Sequence, residues 1–96
     1  ACSNLTGQAN FKEQIEMIEE DLASENWQAL QEEAAELKKL YKDQQWKLQL
    51  LGDEGEYEGL NMSINRLFIA IEEKDRTEAK LELANIQSLI ADIYSL

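Results

Sequence analysis

From Phe11 onward, apolar residues recur with the period of an α-helix. Phe11, Ile15, Ile18 and Leu22 stand four, three and four residues apart, while Glu16, Glu19 and Glu20 fall outside that stripe. Asn10 followed by Glu13 is a capping-box pair, so the spacing predicts a helix from Asn10 to about Ala23. Ser24 is a suitable N-cap for a second helix, with Glu25 in the first turn, where the helix dipole favours negative charge. That helix is predicted to run from about Glu25 to Leu51, with Gly52 as a left-handed stop. Its seam is Trp27, Leu30, Ala34, Leu37, Tyr41, Gln44, Leu48 and Leu51. At 1.5 Å per residue it would be about 40 Å long, so the shorter first helix covers only its N-terminal half.

Asp53 with Glu56 repeats the cap signature, and Tyr57, Leu60, Ile64, Leu67, Phe68 and Ile71 form the apolar face of a third helix. Asp75 with Glu78 opens a last one, with Ala79, Leu83, Ile86, Ile90 and Ile93 as its seam, widened by Leu89 and Leu96. No alternating β-branched run exists, and Val is absent altogether. The pattern predicts an all-α fold: a small up-and-down bundle of four helices of unequal length, or a three-helix bundle with the first helix frayed. Residues 1–9, polar and without periodicity, read as a flexible N-terminal tether, and 10–96 as a single domain.

Composition narrows the chemistry. The 96 residues contain no His, no Pro and one Cys, and carry a net charge of −11. Without His there is no Ser-His-Asp or Cys-His nucleophile and no His-ligated metal centre. One Cys makes neither an internal disulfide nor a thiolate zinc site. The acidic balance lacks the Lys/Arg stripe that nucleic acid requires. Apolar runs are far shorter than the roughly 20 residues that cross a bilayer. Asp53, Glu54, Glu56 and Glu58 crowd together and invite a calcium reading, but they miss the calcium-loop spacing and fit helix-start capping. A core filled by Leu and Ile offers no cleft for a carboxylate pair working on a sugar. We therefore expect no enzymatic activity, no cofactor and no metal.

Three features point to function instead. Ala1-Cys2-Ser3-Asn4 followed by polar residues resembles the mature start of a bacterial lipoprotein, which makes Cys2 a candidate lipid anchor. The long helix is electrically asymmetric: Glu25, Glu32, Glu33 and Glu36 precede a basic island of Lys38, Lys39, Lys42 and Lys47. Trp27 lies on the seam and reads as core. Trp46 lies about 140° around the helix from Tyr41, with Leu50 one turn further on the same outer side. Unless the helix bends near Asp43-Gln44-Gln45 or another helix covers them, Trp46 and Leu50, rimmed by Lys39, Lys42 and Lys47, form a candidate interaction surface.

Asn26-Trp27, Tyr41, Asp53-x-x-Glu56, Ser63 with Leu67 and Ile71, Asp75, and Ala79, Leu83 and Ile86 together resemble domain-of-unknown-function family 4363, over roughly residues 26–93. The resemblance implies a small helical protein of the kind found in Gram-positive spore formers, often with a signal or membrane anchor, and it brings no activity. The expected function is a non-enzymatic, extracytoplasmic, lipid-anchored helical module for protein interaction or sensing. Its expected partner is another protein or a second copy in an antiparallel homodimer, and it meets the membrane through Cys2 alone. The alternatives are a soluble structural or oligomerisation domain and, third, a carboxylate-based metal binder or hydrolase.

Overall fold

The computed structural model describes the backbone of residues 2–95 and the side chains of residues 7–95. The Cys2 side chain and the seam position Leu96 lie outside the described residues. The described residues form five helices rather than the expected four or three: α1 (Cys2–Ala23), α2 (Trp27–Asp43), α3 (Gln45–Leu51), α4 (Glu54–Glu72) and α5 (Arg76–Ile93). Helix α1 packs on α2, α2 on α4, α4 on α5, and α5 back on α1. The result is a four-sided helical bundle of 36 × 24 × 18 Å, with α3 set at one end.

The apolar stripes meet in one core. Phe11, Ile18, Leu30, Leu37, Leu48, Leu60, Ile64, Leu67, Ile86 and Ile93 are wholly buried. Trp27, Leu40, Leu51, Tyr57, Phe68, Leu89 and Tyr94 are partly buried against them.

Two tight hairpin turns share one construction. At the end of α1 the Asn26 N–H donates to Asp21 O (2.9 Å) and the Glu25 N–H to Leu22 O (3.1 Å); at the end of α4 the Asp75 N–H donates to Ala70 O (2.8 Å) and the Lys74 N–H to Ile71 O (3.0 Å). These are Schellman caps, with Glu25 and Lys74 left-handed at φ 54°. Each closing residue then becomes the N-cap of the next helix: Asn26 accepts from the Ala29 N–H (3.3 Å), and Asp75 from the Glu78 N–H (3.0 Å). Asn26, not Ser24, therefore starts α2. The Ser24 hydroxyl instead donates back to Asp21 O (3.3 Å). The reciprocal arm of the box forms at Asp53 and Glu56, where both hydrogen bonds are present. Asp53 and Glu56 of the acidic cluster thus start a helix, as their spacing predicts.

The first helix begins at Cys2 instead of Asn10, so the segment read as a tether enters α1. Its physical cause is visible at Gly7, which is buried. A β-carbon there would come within 2.9 Å of Tyr94 Oη and 3.2 Å of Gln44 Oε1. The lack of a side chain lets the early turns of α1 close on the bundle, and Phe11 follows with its ring 6.4 Å from that of Tyr94.

Candidate functional site

The predicted long second helix breaks at Gln44, whose backbone (φ −97°, ψ 6°) leaves helical geometry. There is no Pro or Gly at the break. The Gln44 N–H still reaches Leu40 O (3.0 Å), while its carbonyl accepts from Leu48 N (2.9 Å), so one residue absorbs the change of direction. The break lets Leu48 reach zero exposure. Beyond Leu51, Gly52 is extended (φ −106°, ψ 165°), not left-handed. Its role is space, since a β-carbon would lie 2.9 Å from Ile93 Cγ1. Helix α3 therefore starts beside Gly7 and Tyr94 and ends beside Ile93. The first turns of α1, α3 and the end of α5 share one end of the molecule.

Even with the break, Trp46 and Leu50 remain outside, 62% and 76% exposed. At 100° per residue they stand about 160° and 200° from Leu48, straddling the direction opposite the buried face. Lys47 Nζ sits 5.5 Å from the centre of the Trp46 ring, a cation–π contact. Gln45 Nε2 donates to Tyr57 Oη, and Tyr57 stacks on Tyr41 at 5.5 Å, which ties α3 and α2 to α4. Burial pushes the Tyr41 phenol well above its ordinary value.

The basic island is not brought together. Lys38 turns to α4, its Nζ donating to Asn61 Oδ1 (2.7 Å) and Asn65 Oδ1 (2.8 Å) and lying 5.6 Å from the Tyr41 ring. Burial lowers its pKa, with Lys42 adding to the effect. Lys39 lines a shallow groove between α1 and α2 with Asn10, Glu13, Glu36 and Asp43. Lys47 stays with the apolar pair through its contact with Trp46, and Lys42 is exposed on α2 before the break.

Several polar groups are organised in ways the residue pattern did not signal. Asn85 Nδ2 donates to Ser63 Oγ between α5 and α4. Gln14 Nε2 donates to Glu33 O (3.0 Å) between α1 and α2. Burial raises the Glu33 carboxyl to about 7, and Asp21 beside it adds to the rise as hydrogen-bond partner and negative charge, with Glu32 and Glu20 contributing. Glu33 Oε1, Gln44 Oε1 and Tyr94 Oη are buried without a hydrogen-bond partner. Burial also raises the Tyr94 phenol.

A surface depression of about 530 Å³ runs between α1 and α5 past Gln8, Lys12, Ile15, Glu16 and Ile90. It continues past Glu19 and Gln87 toward Leu22, Arg76 and Lys80. Neither Asp21 nor Glu33 lines it. Among the described residues, no three His, Cys, Asp or Glu side chains are grouped to hold a metal ion. No described helix is long and apolar enough to cross a membrane.

Fold and surface together define a small all-α bundle with Trp46 and Leu50 exposed on α3, and Met17, Met62, Ile69 and Leu81 exposed on the other helices. The family model for the domain of unknown function DUF4363 matches residues 5–96, and the chain belongs to that family. The match extends the resemblance seen from residue 26 back through α1. Neither the curated proteins nor the solved structures contain a match to the chain.

Proposed function

We propose that the protein is a non-enzymatic helical module attached to the extracytoplasmic face of a membrane through Cys2, acting by contact at the α3 end of its bundle. The observation that carries this reading is the outward pair on α3. Trp46 and Leu50 are held out on a helix whose opposite side, at Leu48, is wholly buried. Side chains so placed add little to holding the fold together, and a contact surface accounts for them. Cys2, the single cysteine, is the first residue of α1 and so belongs to the same end as α3. Acylation there would bring that end to the bilayer.

The test is to express the full-length gene product in a bacterium supplied with labelled fatty acid. Label and membrane association are expected in the wild type and lost in Cys2→Ala, with the helical signal unchanged. Unlabelled wild-type protein in the soluble fraction would overturn the attachment.

A further inference from the structure

We infer that the side of the bundle formed by α1 and α5 is a self-association surface, on which a second copy of this chain docks with its α5 antiparallel to the first. The inference does not rest on attachment through Cys2, and it leaves the Trp46–Leu50 face free.

Along the α1–α5 seam the core comes close to solvent. Ile15, Leu22, Leu83 and Ile90 floor a groove and keep 2–4% of their surface exposed, where Ile18 and Ile86 beside them keep none. From Gln8 to Ala23 on α1 and from Arg76 to Ala91 on α5, its walls run for about 22 Å, four turns of helix. The α5 wall is low, because Ala84 and Ala91 stand on it and both are exposed. On the outer surface of the same helix Leu81 is 60% exposed.

The charge on this side differs from the rest of the molecule. The groove holds Lys12, Arg76 and Lys80, three of the chain's nine cationic side chains, against Glu16 and Glu19, two of its twenty carboxylates. Glu73, Asp75 and Glu78, close to Arg76 in sequence, line a separate depression on the α4 side. Between Leu81 and Ala91 the exposed surface of α5 bears no charge, since Glu82 is buried. Two copies of net charge −11 repel, but at physiological salt charges beyond about 8 Å are largely screened, and the patches that touch decide whether the copies meet. A nearly balanced side can meet itself where the Glu13, Glu20, Glu32 and Glu36 surfaces of α1 and α2 cannot.

The exposed ridge of α5 is its own complement when reversed, which selects a second copy as the occupant. Lys80 stands near its start and Asp92 near its end, at equal distances in sequence from the wholly buried Ile86. Arg76 already faces Glu25 (3.9 Å), whereas Lys80 has no ion-pair partner among the described residues. A two-fold axis opposite Ile86 sets Lys80 of each copy level with Asp92 of the other, Leu81 level with Ala91, and Ala84 level with Ser88. Opposite charges meet, the large side chain meets a small one, and two small ones let the helices approach closely. A parallel pair would instead set Lys80 against Lys80 and Leu81 against Leu81. In the antiparallel pair the α3 ends lie at opposite ends, clear of the contact.

A side of 36 × 18 Å covers about 650 Å² in projection, comparable with the roughly 800 Å² of accessible surface that each partner gives to a stable interface. Contact along the ridge and groove uses part of that side, so the pair is expected to form at micromolar rather than nanomolar concentration.

The test is sedimentation of the full chain at physiological salt, from micromolar to millimolar concentration, under reducing conditions that keep Cys2 from cross-linking. A monomer–dimer equilibrium is expected. Ala84→Glu, at an exposed position, should weaken it at least tenfold. Lys80→Glu and Asp92→Lys should weaken it about fivefold each, and the two together should restore it. Trp46→Glu should leave it unchanged. Circular dichroism of the same variants serves as the control for folding.

A monomer at every concentration would overturn the inference. So would a dimer indifferent to Ala84→Glu, or one lost in Trp46→Glu, since the second copy would then sit on α3. A double variant that associates as poorly as Lys80→Glu and Asp92→Lys do singly would overturn the antiparallel pairing.

Discussion

The two ends of the bundle solve the same problem, how to reverse a helix, by opposite means. At one end, residues 24–26 and 73–75 turn the chain within three positions, satisfying the last carbonyls of one helix and the first amides of the next with the same residues. Glu25 Oε2 and Arg76 Nη1, 3.9 Å apart, join the two turns, with both side chains about half exposed. At the other end, α2 breaks at Gln44, α3 spans the gap, and the connection to α4 takes a Gly, a capping box and a change of direction. The longer route is the one that presents Trp46 and Leu50. Helix α3 closes this end of the core with Leu48 and Leu51 while its other side carries Trp46 and Leu50.

The sharpest way to break this contrast is to separate the two faces of α3. Leu48 is wholly buried and Leu50 is 76% exposed. Leu48→Ala should destabilise by about 2–5 kcal/mol, the range for a buried leucine that leaves a cavity. Leu50→Ala should change stability by less than about 0.5 kcal/mol. Urea melts of the two variants check this. Equal losses would mean that α3 packs on both faces and presents nothing.

A second, smaller effect lies on the α1–α2 side and reports on a buried charge instead of a cavity. Glu33 ionises at about 7 in the folded protein, against an ordinary value of 4.5. The native state therefore holds a proton that the unfolded chain has already released. Stability falls as pH rises from about 4.5 to about 7, and the whole deficit is present above that. Glu33 is partly exposed, and solvent screening there holds the effect to about 1 kcal/mol. Asp21 and Glu20 on α1 and Glu32 on α2 all face the group with the same sign. Glu33→Gln should accordingly stabilise at pH 8 and do nothing at pH 4, as measured by denaturant melts at both. A gain that is equal at the two pH values would assign it to packing.

What could be read in advance follows the range of each interaction. The seams of all the helices, from Phe11 to Ile93, were visible because burial against any neighbour requires the same spacing, whichever neighbour it is. Asp53 and Asp75 were visible because a cap and its partner are three residues apart. The start of α1 was not, because the residues before Asn10 carry no stripe, and Gly7 acquires meaning only when Tyr94 and Gln44 come to meet it. The break at Gln44 has no Pro or Gly to mark it, and the pattern alone leaves a straight helix and a bent one both open. At the site, helical period places Trp46 and Leu50 on the outer side only if no bend near Gln44 turns them in; the bend is there, and the two side chains are exposed all the same. The dispersal of Lys38 and Lys39 did not, since it depends on Asn61 and Asn65 of α4 and on the groove against α1. Ser24 reads as a cap because left-handed turns are usually announced by Gly, and here Glu25 and Lys74 occupy that conformation.

That last point returns to the contrast between the two ends and gives its finest test. A residue with a β-carbon at φ 54° crowds its own carbonyl, at a cost of about 1 kcal/mol that Gly does not incur. Lys74 is the cleaner of the two positions, since Glu25 also faces Arg76. Lys74→Gly should therefore raise stability by up to about 1 kcal/mol, less what Gly gains in freedom when unfolded. The same substitution at the opposite end should have the opposite sign. Gln44, at φ −97°, has no left-handed strain to relieve, so Gln44→Gly adds only flexibility and costs about 0.5–1 kcal/mol. Opposite shifts in the urea midpoint would show that the tight turns carry strain for the sake of compactness and that the break in α2 does not. Shifts of the same sign would remove the distinction and make the break at Gln44 a turn like the others.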